Sequence, residues 1–571
     1  MSKKIFITSA LPYCNNVPHL GNLIGSTLSA DFYARFMRNQ GHDVVYLCGT
    51  DTYGTTTEVK AQQDGVSCEE LCEKFTKLHK AVYDWFNIEF DVWGQTNTQE
   101  QTKITHEIFL ELYNNGYIEE KTITQMYCPN CSMFLADRYL KGTCYHNECI
   151  ARGNITNGDQ CDSCQKLIDA TKLINPFCFM CKATPYLKES DHLYLKLPEL
   201  ANEIRDYNFN NPRVKLSDHV VSIAKSWLDL GLESRCITRD LKWGTPLPWE
   251  YDETLKKYKD KVFYVWFDAP FGYYSILQKG RADWKEWLTR NESVDMIQFM
   301  GKDNCNFHTI IFPGSILGSK LDLPLVNKLG CTEYLLYEDN KFSKSNNIGI
   351  FGDQVAKLSG ELGIDEDYWR FYLIKFRPET NDCSFTWESF ILTIRSDLVH
   401  NIGNFINRCV TMSEKFCNNE TYYKADGTLN EILKIVDVYN DSFENFKFRE
   451  AVHQCLVLST FGNNYYDKEK PWNVFKDIKK DGVKEKLCEI LGNANMIAFV
   501  LLKLLEPIIP RSARKLSNVF KFEKTYNNIN ETLTNDNIIK IDKTGYNLPF
   551  KALDIEEVKL VLEKLNIKSV L

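Results

Sequence analysis

Lys4 to Ser9 form a short β-rich run, and a helix-like stretch that opens at Pro18-His19-Leu20-Gly21-Asn22 reaches about Asn39 before a second strand-like run, Val44 to Cys48, ends at Gly49-Thr50-Asp51. Two strands joined by a helix run parallel, because the crossover returns the chain to the edge from which it started. The opening therefore predicts a parallel α/β sheet, in which ligands collect beyond the carboxyl ends of the strands. The polar groups around His19 and Asp51 both fall at that edge.

Strand-like runs at Val262–Phe267 and Met296–Met300 are expected to complete the sheet. Between Cys128 and Cys181 the texture changes to closely spaced cysteines and turn residues, which predicts a small insertion. Eight of the chain's 20 cysteines lie there as four pairs: Cys128 and Cys131, Cys144 and Cys149, Cys161 and Cys164, Cys178 and Cys181. Thiolates with two residues between them in a tight turn suit tetrahedral zinc, and a site filled by four protein ligands holds a fold together rather than doing chemistry. The second pair is irregular, and His146 could replace one of its cysteines. The pairing of the four knuckles is not derivable from spacing. From about Ser389 long amphipathic segments predict a helical bundle, with an Asn/Thr-rich linker at about 524–542 and a last helix from about Asp554 to Leu565.

A length of 571 residues implies about three or four compact units. The most apolar stretch, Met496 to Leu505, is interrupted by Lys503 and reads as a buried helix rather than a membrane span. The N-terminus passes from two lysines straight into a strand, without the apolar core of a signal peptide, so a cytoplasmic location is expected. In that compartment the twelve cysteines outside the insertion are expected to be reduced. A net charge of −8 excludes a generally basic coat but leaves room for a local nucleic-acid track.

Two segments carry chemistry suited to a nucleoside triphosphate. At His19-Leu20-Gly21-Asn22 a helix start offers backbone N–H groups to phosphate, and at Lys341-Phe342-Ser343-Lys344-Ser345 two lysines and two hydroxyls share a loop that could neutralise a departing pyrophosphate. Taken singly, the first is equally a helix cap and the second a solvated loop. Together, in this order, they resemble the HIGH and KMSKS motifs of the class I aminoacyl-tRNA synthetases. More narrowly, the chain is similar to the methionyl family of eukaryotic and archaeal type, through Ala10-Leu11-Pro12-Tyr13, Cys48-Gly49-Thr50-Asp51, Phe134 to Arg138, Ile237 to Gly244, Val262 to Pro270 and Gly301 to Asn304. Asn22 and Phe342 depart from the motif consensus, and Thr52 stands where an acidic residue often follows Asp51.

The resemblance implies a Rossmann-type catalytic domain split by the zinc-knuckle insertion and followed by an all-α anticodon-binding bundle. The implied divisions are catalytic halves at 1–118 and 226–325, the connective insertion at 119–225, a KMSKS-loop region at 326–388, the anticodon bundle at 389–523, and a linker with a final helix at 524–571. It implies ATP with Mg2+ as substrate, met by His19, Gly21, Asn22, Gly301, Asp303, Lys341, Ser343 and Lys344, with His19, Asn22, Lys341 and Lys344 stabilising charge. Methionine would be held by Asp51 through its ammonium and by Leu11, Tyr13, Trp266, Ala269, Pro270, Tyr273 and His308 around its thioether, while Arg239 and Asp303 could pair beneath the site. Asn404, Arg408 and Trp472 would read the anticodon of tRNA(Met), by stacking and hydrogen bonds to unstacked bases. One or two structural zinc ions are implied, the second and third knuckles sharing one and the first and fourth the other. A monomer is expected, with an accessory tRNA-binding protein as a further partner. The isoleucyl, valyl and leucyl enzymes would need a large editing domain in place of the short insertion, and a cysteinyl enzyme would place zinc at its substrate pocket. A noncatalytic scaffold would have no use for His19, Asp51, Lys341 and Lys344 together.

Overall fold

The computed structural model describes residues 2–571 except 136, 151–152, 159–160, 162, 165, 167, 345–347, 426, 428, 526–527 and 549. Ser345 of the loop motif and Ala136 therefore lie outside the described residues. The chain divides into two compact units, one built from Met1–Val17, His42–Ala81 and Glu89–Cys331, the other from Pro18–Gly41, Val82–Ile88 and Thr332–Leu571.

The first unit is organised by a six-stranded sheet of β1 (Lys4–Ser9), β2 (Asp43–Thr50), β3 (Val92–Gln95), β4 (Lys215–Leu216), β5 (Val294–Gly301) and β6 (Val326–Thr332), in the order β4-β6-β5-β1-β2-β3. β1 pairs in parallel with β5 on one side and β2 on the other, and β2 with β3 likewise. Phe6, Val45 and Leu47 face a core completed by Phe109, Leu112, Tyr274 and Ile316. Two glycines allow the strands and a helix to approach closely. A Cβ on Gly49 would lie 2.5 Å from the Gly94 carbonyl, and one on Gly94 would lie 2.8 Å from Ile276, on the helix Gly272–Gly280.

Met296–Met300 joins the sheet as expected, whereas Val262–Phe267 does not. Val262 and Phe263 pair instead with Arg239 and Thr238 in a separate two-stranded ladder, and Val265–Asp268 turns into a helix. The reason is legible in the spacing. Phe263, Phe267 and Phe271 recur every four residues and pack in succession inside the core, tilted at 5.4 Å and edge-on at 5.2 Å, which is helical periodicity despite the β-prone composition. The insertion leaves on a long antiparallel arm, Ile118–Cys128 against Tyr186–Leu195, and carries a small sheet of Leu140–Thr143, Ile155–Asn157 and Ile174–Cys178.

In the second unit a continuous helical run, Leu20–Asn39, is α-helical except for a π segment at Leu23–Thr27. Buried within it, the Asp31 carboxylate accepts from Arg35 Nε at 2.8 Å and Arg370 Nη2 at 2.7 Å. Arg370 spends its remaining donors on the carbonyls of Phe86, Pro507 and Ile508, so one guanidinium joins four segments of the unit. The bundle beyond is helical, and its longest member, Val483–Leu505, is long and apolar enough to cross a membrane, yet 83% of its most apolar window is buried inside the fold. The Asn/Thr-rich stretch is not a plain linker. It contains the helix Ile529–Thr534 and the strand Asn537–Ile541, which pairs with Glu420–Tyr423 and Phe520–Phe522 in a small antiparallel sheet. That sheet rests on a side-chain-free spot of the long helix, because a Cβ on Gly492 would lie 2.1 Å from the Tyr422 carbonyl. Asn495 on the same helix donates to Thr421 and Ser413. Cys417 and Cys488 are joined by a disulfide, so these two of the twelve outlying cysteines are not the free thiols expected.

Removing one member of a buried ion network leaves the others uncompensated. Asp31→Asn is expected to lower the stability of the second unit by about 3–5 kcal/mol in urea unfolding. A loss below about 1 kcal/mol would show that Arg35 and Arg370 are solvated in its absence.

Candidate functional site

In the second unit His19 is the N-cap of the helical run. Its Nδ1 accepts from the backbone N–H groups of Gly21 at 3.1 Å and Asn22 at 3.3 Å, and the Asn22 side chain accepts from the His19 backbone at 3.2 Å. This reciprocal cap assigns the tautomer: with Nδ1 an acceptor, the proton resides on Nε2. Burial lowers the imidazole pKa to about 4, so His19 is a neutral N–H donor at physiological pH. Lys341 and Lys344 are exposed, Lys341 Nζ standing 5.3 Å from the Tyr334 ring and Lys344 Nζ 5.8 Å from that of Phe351. Ser343 and Ile348 exchange backbone hydrogen bonds of 2.9 Å across the loop.

The first unit gathers most of the residues expected to meet an amino acid. Tyr13 and Asp51 form a parallel bridge just beyond β1 and β2, and the Tyr13 hydroxyl lies beside the Trp266 indole. Leu11 packs where a Cβ on Gly272 would lie 2.8 Å away. Trp266, 43% exposed, meets Phe307 edge-on at 4.2 Å. His308 donates from Nδ1 to the Asn304 carbonyl at 2.9 Å, which leaves Nε2 to accept from the Tyr273 hydroxyl at 2.9 Å. Burial holds this second imidazole neutral too, at about 4. Ala269 and Pro270 form the single turn after Asp268, and Gly301 and Asp303 follow the end of β5. Arg239 lies 3.5 Å over the Tyr264 ring.

Asp51 is buried and its Oδ1 finds no hydrogen-bond partner among the described residues. Asp268, which the sequence reading missed, is in the same condition: its Oδ2 accepts from the Thr245 hydroxyl while Oδ1 has no partner among those residues. Burial raises both carboxyls, Asp268 to about 7, and the proximity of Asp268 raises Asp51 further. Two buried carboxylates with an open oxygen each make a receptor for a cation. The only hint in the sequence was an acid embedded in the aromatic run before Pro270. Thr52 is also accounted for. Its hydroxyl pairs with that of Thr96 at 2.9 Å in full burial, where a carboxylate would be desolvated.

The eight insertion cysteines fall into two clusters, Cys128, Cys131, Cys178 and Cys181 in one and Cys144, Cys149, Cys161 and Cys164 in the other, with all sulfurs of a cluster within 4.8 Å of one another. Sulfur separations of 3.4, 3.9, 3.9 and 3.8 Å fit the about 3.8 Å edge of a tetrahedron with Zn–S bonds of about 2.3 Å. His146 stands beside the second cluster, Nδ1 3.3 Å from the Cys144 sulfur. In the bundle Arg408 lies 5.7 Å from the Trp472 ring and 4.7 Å from that of Tyr466, and donates to Asn463 and Asp467. Asn404 is exposed one turn earlier on the same helix.

Residues 5–410 match the family model described as tRNA synthetases class I (M), and residues 418–540 match the anticodon binding domain of methionyl tRNA ligase. A methionine--tRNA ligase of Acanthamoeba polyphaga mimivirus is 51% identical over 567 residues, covering 99% of this chain and all of that one. The cytoplasmic methionine--tRNA ligase of Homo sapiens is 42% identical over 89% of this chain, which spans 55% of the human protein. A Mycobacterium tuberculosis methionyl-tRNA synthetase solved with methionyl-adenylate shares the fold at TM-score 0.72 and 20% identity, covering 90% of this chain and 94% of that one. The paired helix-start and lysine-loop motifs, the parallel sheet, the helical bundle and this end-to-end likeness agree, and the chain belongs to the class I methionyl-tRNA synthetases, the methionine–tRNA ligases.

Proposed function

We propose that Asp51 and Asp268 receive the ammonium of methionine, and that this charge match, with the thioether among Leu11, Tyr13, Trp266, Ala269, Pro270, Tyr273 and His308, selects the substrate. The observation that carries the reading is a pair of buried carboxylate oxygens, Asp51 Oδ1 and Asp268 Oδ1, with no hydrogen-bond partner among the described residues. An ammonium there turns a desolvation cost into a charge-assisted hydrogen bond. The neutral Tyr273–His308 pair suits an uncharged thioether, since both polar groups already satisfy one another.

Activation needs placement more than proton transfer. The methionine carboxylate is already a nucleophile at neutral pH; it attacks the α-phosphorus of ATP in line, and the bond to the pyrophosphate oxygen breaks. His19 through Nε2–H, the amide of Asn22, and Lys341 and Lys344 stabilise charge on the phosphates, with Ser343 and the backbone at Gly21 in support. Mg2+ arrives with the nucleotide, and Gly301 and Asp303 meet its ribose. The terminal ribose hydroxyl of tRNA(Met) then attacks the adenylate carbonyl and AMP leaves. Asn404, Arg408 and Trp472 read the anticodon, the Arg408–Trp472 contact offering a cation beside a stacking face. The domain roles follow the divisions given above. The enzyme acts in the cytoplasm as a monomer, with an accessory tRNA-binding protein as an additional partner. Zinc, held by the two four-cysteine clusters, supplies the crosslinks that fold the insertion.

Methionine-dependent ATP–pyrophosphate exchange tests the assignment against the other amino acids, and Lys344→Ala is expected to slow it on the order of 100-fold with little change in methionine binding. Exchange driven better by another amino acid would reject the specificity, and an equal loss of binding would reject the role of Lys344.

Free Asp268 carries a proton below about 7. Ammonium binding favours the charged carboxylate, so binding releases a proton, and the KM for methionine is expected to fall as pH rises from about 6 to about 8. Asp268→Asn should reduce this slope, the remainder belonging to Asp51, whose carboxyl burial also raises; an unchanged slope would remove Asp268 from the site. Metal analysis is expected to give two zinc ions per chain, and His146→Ala should keep both, since four sulfurs complete the second cluster without it. Loss of one zinc in that variant would make His146 a ligand.

A further inference from the structure

The plane of the His19 imidazole is fixed from several sides. Its Nδ1 edge is held by the two backbone N–H groups of the cap, and a Cβ on Gly21 would lie 3.0 Å from its Cε1, so the ring fills the space over that glycine. Phe351 meets it edge-on at 6.1 Å, and the backbones of His19 and Phe351 form an antiparallel bridge, with Gly352 N–H donating to the Pro18 carbonyl at 2.8 Å. One flat face of the imidazole is covered by Phe342, stacked with centroids 4.2 Å apart and planes 3° from parallel.

Phe342 lies between Lys341 and Ser343-Lys344, so the contact also anchors the lysine-bearing segment. Its ring has a seat of its own. Gly349 adopts φ 115°, a conformation suited to glycine, and a Cβ there would lie 2.3 Å from the Phe342 ring. The backbone exchange between Ser343 and Ile348 brings that glycine under the ring. An aliphatic side chain could fill the same volume but has no flat face with which to set the plane of a neighbouring imidazole.

We propose that Phe342 is a positioning residue for methionine activation: its ring sets the plane of the His19 imidazole and, through the same contact, anchors Lys341 and Lys344 at the helix start. This rests on the assignment of His19 and the two lysines to the phosphates. It gives a role to the residue by which this loop departs from the motif consensus.

The test is methionine-dependent ATP–pyrophosphate exchange by the full chain and its F342L, F342Y and G349A variants, with thermal unfolding alongside. F342L is expected to lower kcat about tenfold while the KM for methionine stays within about twofold and the unfolding midpoint is unmoved. F342Y, which keeps the flat face, should stay within about threefold of the parent. G349A should reproduce the loss by displacing the unaltered ring, and should add nothing to F342L, since both variants break the same contact. F342L as fast as the parent, F342Y as slow as F342L, or a loss confined to the KM for methionine would each overturn the proposal. A parent chain without methionine-dependent exchange would overturn the functional reading and this proposal together, whereas an active parent with an equally active F342L overturns this proposal alone.

Discussion

β1 pairs in parallel with neighbours on both sides, and from that register much of the first unit follows. Parallel strands end at one edge, so the turn after β1 and the end of β2 meet there, and Tyr13 bridges Asp51 although 38 residues separate them in the chain. The approach is close because Gly49 and Gly94 carry no side chains where β2, β3 and the helix Gly272–Gly280 crowd together. That helix brings Tyr273 to His308, and the short helix Val265–Asp268 ahead of it carries Asp268. A slip of one residue in the pairing would turn every side chain of β1 to the opposite face and dissolve this arrangement.

Desolvation is the second organising force, and it acts differently on different groups. It holds His19 and His308 neutral, so each presents one defined donor and one defined acceptor rather than a charge. At Asp51 and Asp268 it raises the carboxyls, and one oxygen of each has no hydrogen-bond partner among the described residues, a state costly in isolation. At Asp31 the same burial is offset within the protein by Arg35 and Arg370, and the result is architectural. The buried acids thus differ in whether the fold supplies a counter-ion.

The C-terminal bundle shows how composition misleads at short range. Asn and Thr dominate the 524–542 stretch and mask the short run Ile538-Ile539-Lys540-Ile541, which becomes part of the central strand of a small sheet. It does so because distant partners offer ladder hydrogen bonds, and because Gly492 leaves room on the longest helix for the adjoining strand. Val262–Phe267 fails in the opposite direction. Its β-branched and aromatic content suggests a strand, and a four-residue aromatic repeat fulfilled by core packing makes its second half helical.

Local chemistry was legible in the residues themselves. The strand–helix–strand opening, the cap at His19, the lysines of 341–344 and the cysteine knuckles depend on neighbours a few positions apart, where periodicity and turn propensity act directly. The likeness of long blocks carried the class I methionyl assignment. Spacing left the pairing of the knuckles open; the two sets of four that the resemblance implied are the ones the fold brings together, with His146 beside rather than within the second, since ligand distances are set by how the knuckles pack. Tertiary structure alone showed Asp268 as a second open carboxylate, Thr52 as the partner of Thr96, and Phe342 as the face against which His19 rests. These depend on burial and on contacts between residues tens to hundreds of positions apart, which spacing along a chain does not record.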